Sequence, residues 1–209
     1  MPSPPPQPPA LPHPPSPPPT PPVAPIQPAS EFIFTFTAVR GIGQDSVQDI
    51  QLGSMELYDF DGMEIPLRTQ AVLTNPGGSS PDNQGVSNLA LKIEKGAKWY
   101  DDQFQVNNYN SVINIKLEAE HKLGGYQLYT AKDISRRDPI SWELHALTAD
   151  GPVLLDSQTN VNVTEGRSMP YPFFSTVPAD PYQSSVMYYF DFTDIRTHRP
   201  SQMYASLSG

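Results

Sequence analysis

Two tryptophans are the side chains of this 209-residue sequence best suited to hold a ligand. An indole exposed on a rigid element stacks against the CH face of a sugar ring, whereas a buried one fills a core. Trp99 stands in Lys98-Trp99-Tyr100-Asp101, and Trp142 ends the run Arg137-Asp138-Pro139-Ile140-Ser141-Trp142. Trp99, Asp101, Arg137, Asp138 and Trp142 are therefore the candidates for glycan contact. The competing role of Arg137 and Asp138 is local, because an Asp-Pro step builds a turn that an internal ion pair can lock.

Other reactive types lack the spacing that chemistry needs. The carboxylate pairs Asp59/Asp61 and Asp101/Asp102 are neighbours in turns or on a strand, not the facing pair that glycoside hydrolysis requires. His121, His145 and His198 show no metal-ligand spacing, and no Gly-x-Ser-x-Gly elbow or glycine-rich phosphate loop occurs. With no cysteine there is no disulfide, thiolate zinc site or thiol nucleophile. No enzyme, metal site or cofactor is expected.

Positioning of these residues falls to a chain of two unlike parts. Of 26 prolines, 16 lie within the first 28 positions, and all 13 basic and 22 acidic residues follow Ser30. Residues 1–30 form a proline-rich arm, and residues 31–209 are long enough for one domain with a core. Each proline in the arm fixes φ and removes a donor, so the expected backbone is polyproline II, at about 3.1 Å per residue a rod of roughly 80 Å. A formal charge of -9 argues against nucleic acid and anionic membranes as partners. No apolar stretch is long enough to span a bilayer as a helix.

The motifs Ser3-Pro4-Pro5-Pro6 and Ser16-Pro17-Pro18-Pro19 resemble the Ser-Pro-rich repeats of extensins and related hydroxyproline-rich wall glycoproteins. That resemblance implies hydroxylation and O-glycosylation at Ser3, Pro4, Pro5, Pro6, Ser16, Pro17, Pro18 and Pro19. Asn162-Val163-Thr164 is the only N-glycosylation sequon, which makes Asn162 the acceptor. Both modifications belong to a secretory pathway. No secretory signal precedes the prolines, so an extracellular protein is expected whose Met1 begins a fragment or a processed chain.

Beyond Ser30 the periodicity is that of strands. Phe32-Ile33-Phe34-Thr35-Phe36-Thr37-Ala38-Val39 alternates at period two, and residues 50–58, 112–118, 125–130, 141–147, 153–156 and 187–193 follow. Turn clusters separate them, notably Asp61-Gly62, the run from Asn75-Pro76-Gly77-Gly78 to Pro81, and Asp150-Gly151-Pro152. Many short strands and no long amphipathic helix predict an all-β sandwich or barrel. Phe34-Thr35-Phe36-Thr37-Ala38-Val39-Arg40 is echoed by Phe190-Asp191-Phe192-Thr193-Asp194-Ile195-Arg196. The echo fits two strands with similar surroundings, or an edge where a neighbouring molecule exchanges an equivalent strand.

Asn75-Pro76-Gly77-Gly78, Lys98-Trp99-Tyr100-Asp101, residues 125–133, Arg137-Asp138-Pro139-Ile140-Ser141-Trp142 and Leu154-Leu155-Asp156-Ser157, in this order, resemble the galactose-binding-like domain of the discoidin or coagulation-factor type C group. Within that group they are most similar to a subgroup of algae, oomycetes and bacteria. The resemblance implies a jelly-roll β-sandwich, core positions for both tryptophans, and adhesion or carbohydrate binding through loops at one end. Asn88-Leu89-Ala90-Leu91-Lys92 lacks the carboxylate and glycine of that family's usual calcium loop, so no calcium is expected. The expectation is a non-enzymatic secreted structural glycoprotein, the protomer of a filament or wall layer. It would self-assemble through its arm and edge strands and carry attached glycans. The alternative is a carbohydrate-binding adhesion module on a proline stalk.

Overall fold

A computed structural model of the chain describes residues 27–41, 48–92 and 96–177. The arm with its expected modification sites from Ser3 to Pro19, the strand expected at 187–193, and His198 lie outside the described residues. The described part is nearly all strand: β1 (Ala29–Val39), β2 (Ile50–Leu52), β3 (Ser54–Asp59), β4 (Glu64–Ile65), β5 (Ala71–Thr74), β6 (Trp99–Asp101), β7 (Ser111–His121), β8 (Leu123–Tyr129), β9 (Pro139–Thr148), β10 (Gly151–Gln158) and β11 (Phe174–Ser175). One helical turn, α1 (Leu67–Gln70), and 3-10 turns at Val86–Ala90 and Ser135–Arg137 interrupt them.

Every strand pair is antiparallel. One sheet runs β10-β9-β1-β7-β5, a second β11-β8-β3-β4, and β2 pairs with β6 alone. The expected strand over 50–58 is two strands, divided at Gly53, where the chain leaves β6 for β8. Its unbroken burial from Ile50 to Met55 hid the crossing, since period two is visible only where one face is wet. The strands β4, β5, β6 and β11 have two to four residues, too few to show a period.

β1 is the central strand because its alternation gives it one wholly aromatic face. Phe32, Phe34 and Phe36 stand opposite Ala146, Leu144 and Trp142 on β9, and opposite Ile115, Ile113 and Ser111 on β7. Both neighbours therefore add buried side chains to the same rows. The second sheet covers these rows with Leu57, Tyr126, Leu128 and Phe174, giving a sandwich-like core. Phe34 meets the Tyr126 ring edge-on at 5.1 Å, and Trp142 meets Phe174 edge-on at 5.2 Å. Trp142 Nε1–H donates to the Tyr126 hydroxyl at 2.6 Å, which donates to Asp156 Oδ2 at 2.6 Å. Burial and the adjacent Asp156 push the Tyr126 hydroxyl pKa far up, so it remains a donor at any physiological pH.

Deleting the central ring should leave a cavity that the surrounding strands cannot close. Phe34→Ala is expected to lower the unfolding free energy by about 3–5 kcal/mol in urea titration. A loss under about 1 kcal/mol would show that the aromatic rows do not carry the core.

Candidate functional site

Each residue singled out for glycan contact has internal work to do. Trp99 is 0 % exposed and tilts against Phe36 at 6.0 Å, and Trp142 is 1 % exposed between Tyr126, Tyr171 and Phe174. Neither presents a face to a sugar. Both occupy the core, because β6 and β9 turn these positions inward. Asp101 is fully buried: Oδ1 accepts the backbone N–H groups of Ser79 and Gln103 at 3.0 Å, and Oδ2 accepts the Ser111 hydroxyl. It ties the glycine-rich loop to the start of β7.

Arg137 and Asp138 do not pair with each other. Arg137 Nε donates to Asp49 Oδ1 at 2.6 Å, and its guanidinium stacks 4.9 Å over the Tyr100 ring. The buried Asp138 accepts Arg167 at 2.6 and 3.0 Å and lies 3.5 Å from Arg40. Burial pushes the Asp138 carboxyl up, against the pull of Arg167. Arg40 also binds the carbonyls of Val163 and Thr164 at 2.8 Å and the carboxylate of Glu165, fixing the sequon loop from behind. Asn162 itself is exposed. Nearby, the buried Lys98 ammonium donates to both Asp133 oxygens and to Gln51 Oε1 at 2.9 Å. Burial raises the Asp133 carboxyl, but the Lys98 hydrogen bond and charge outweigh it and hold the pKa low. Among the described residues, no three His, Asp or Glu side chains converge as a metal site would require.

Accessible polar and aromatic groups gather instead on the outer face of the four-stranded sheet. Alternation sends Leu57 and Tyr126 inward and Glu56, Tyr58, Gln127 and Tyr129 outward. Glu56 accepts the hydroxyls of Tyr58 and Tyr129 at 2.7 and 2.9 Å and the Lys92 ammonium at 3.0 Å. Burial opposes ionisation of Glu56, yet these hydrogen bonds prevail and hold its carboxyl below the ordinary value. Burial and the Glu56 carboxylate raise the Tyr129 hydroxyl to about 12, against the pull of Lys92.

Next to this cluster lies an open groove of about 430 Å³ walled by Tyr58, Phe60 and Phe173. The β3–β4 hairpin carries Phe60 on its tip, with Asp59 Oδ1 accepting the N–H groups of Asp61 and Met63 and Gly62 in the left-handed region at φ 80°. Phe60 is 54 % and Phe173 is 53 % exposed. The Phe173 ring rests on Gly125, where a Cβ would lie 2.4 Å from its Cζ, and meets Tyr58 edge-on at 5.5 Å. Glycine at 124 admits the hairpin in the same way, since a Cβ there would lie 2.3 Å from the Asp59 carbonyl oxygen.

The chain is thus an all-β protein of antiparallel sheets with a sandwich-like core and an exposed aromatic groove. Compared with protein-family models, with curated proteins and with solved structures, it matches none. Phe173 and Phe174 are adjacent in sequence, and the chain turns the first outward and the second into the core.

Glu56 supplies a pH test. A depressed folded-state pKa gives stability that is present above the unfolded value of about 4.3 and is lost as pH falls through the folded value. The stability gap between the native protein and Glu56→Gln, measured by urea unfolding, should therefore shrink as pH is lowered from about 6 to about 3. A gap that is constant with pH would show that Glu56 is not held ionised by its partners.

Proposed function

We propose that this chain is a non-enzymatic, secreted structural glycoprotein, the protomer of an extracellular filament or wall layer. On this reading its sandwich is a jelly roll of galactose-binding-like type. The proline arm docks on neighbouring protomers and carries O-linked sugars at its two Ser-Pro-Pro-Pro motifs. The observation that carries the reading is the edge strand β10. Among the described residues it closes the five-stranded sheet with eight residues, and none of Gly151 to Leu155 is charged. Val153 is 44 % and Leu154 is 52 % exposed on it. Isolated soluble domains blunt such edges with charge, proline, bulges or cover, because unpaired N–H and C=O groups template pairing with another chain. Here Pro152 and an irregularity between Leu154 and Asp156 blunt the edge in part, and no charge reinforces them between Gly151 and Leu155.

Two further features support the reading. Exposure of Asn162, on a loop held by Arg40, suits an attached glycan. The arm's prolines have little backbone freedom to lose on docking, so ordering them costs less than the roughly 1–2 kcal/mol per residue of a flexible tail. A carbohydrate-binding module finds less support, since its tryptophan platforms lie in the core.

Removing residues 1–26, which leaves β1 whole from Ala29, should abolish assembly, measured by light scattering, while far-UV circular dichroism of the sandwich is kept. An assembly that persists without the arm would refute the arm's part. Leu154→Lys should likewise lower assembly by placing a charge on the open edge. Mass spectrometry of native material should show modified prolines and an Asn162 glycan that Asn162→Gln removes, and bare prolines on a monodisperse monomer would overturn the reading.

A further inference from the structure

We propose that the groove between Tyr58, Phe60 and Phe173 is the seat for the proline arm of a neighbouring copy, and that residues 8–15 are the part that enters it. This rests on the assembly reading above and adds the acceptor surface to it. Extended proline-rich segments dock where aromatic rings line a groove, because pyrrolidine rings fill the gaps between the rings and a preset backbone loses little entropy. The groove offers three such rings, two of them more than half exposed. Its one carboxylate, Asp59, is already engaged by two backbone N–H groups of the hairpin.

The occupant follows from chemistry and reach. Residues 1–30 contain no Lys, Arg, Asp or Glu, so an apolar seat strips hydration from no formal charge. Between the two Ser-Pro-Pro-Pro motifs, Pro8-Pro9-Ala10-Leu11-Pro12-His13-Pro14-Pro15 has no serine or threonine to carry sugar, and its leucine is the largest apolar side chain in the first twenty residues after Met1. The arm joins the sandwich at Ala29, whose partner in β7 is His121. Lys122, next along, accepts the Phe60 N–H at 2.8 Å, so the arm's root stands beside the hairpin that walls the groove. In polyproline II geometry the stretch from Pro15 to Ala29 measures roughly 40 Å. That length is enough to reach a neighbouring molecule, which is why the seat is assigned to the arm of another copy. Such a contact joins unlike surfaces, and head-to-tail contacts of that kind propagate as filaments unless their rotation closes a ring.

The test uses the full chain. Copies carrying a photo-crosslinking residue at Met63, which is exposed beside the groove, are mixed with isotope-labelled unmodified copies, irradiated and digested. The expected product joins position 63 to residues 8–15 of a labelled copy. Cross-links confined to the same copy, or to any other segment, overturn the proposal. In parallel, a fluorescent peptide of residues 7–16 is titrated with the full chain. Phe60→Ser/Phe173→Ser should weaken its binding at least about tenfold, as loss of a central aromatic pair does at other interfaces. Met63→Asp, which leaves the rings in place and adds a charge at the rim, should weaken it less. Thermal unfolding confirms that each variant is folded. Assembly that needs the arm yet is unchanged in the double variant sinks the groove but spares the assembly reading. Assembly without the arm sinks both. Oligosaccharides that bind the groove in place of the peptide also overturn the proposal.

Discussion

A buried indole N–H is costly without an acceptor, and the way Trp142 finds one organises the molecule. Trp142 lies on β9, its acceptor Tyr126 on β8 of the opposing sheet, and the Tyr126 hydroxyl in turn needs Asp156 on β10. One chain of two hydrogen bonds therefore crosses the core to the edge strand β10. It adds a tie through Asp156 to the ladder that holds β10 against β9. Trp99 shows the other course, since among the described residues its buried indole nitrogen has no acceptor.

Charge at the loop end is consumed in the same internal fashion. Asp101, Lys98 and Asp138 are all buried, and each joins segments distant in sequence: the glycine-rich loop to β7, β2 to the loop after β8, and β1 to the sequon loop. Breaking one partner of such a set leaves a charge without water or counter-charge, a far larger loss than at a surface pair. Loops that would elsewhere be free to contact ligands are here fastened together. The accessible surface is consequently left to the sheets' outer face and edge.

The fold was legible where alternation had room to show. β1, β7 and β9, with ten or eleven residues each, stand where the sequence pattern places them. Asp61-Gly62 and Asp150-Gly151 form the expected turns, because a glycine's left-handed backbone is required there. What stayed hidden was pairing. Nothing local distinguishes a run buried on both sides from two strands that part at Gly53, nor shows which sheet receives a three-residue strand such as β6. The two roles weighed for Trp99 and Trp142 could not be separated locally for a related reason: inward orientation is decided by register. Arg137 and Asp138 illustrate it again, adjacent in sequence and each paired with a different distant residue.

Gly124 and Gly125 define the groove by what they lack. The hairpin comes to rest against one and Phe173 against the other, so both walls of the groove are seated on bare backbone. The shape of that surface is thus encoded at two positions that contribute no side chain to it. A single added methyl would remodel the outer face while the rows of phenylalanine beneath kept their packing. In evolutionary terms, the surface and the core of this protein can be lost separately.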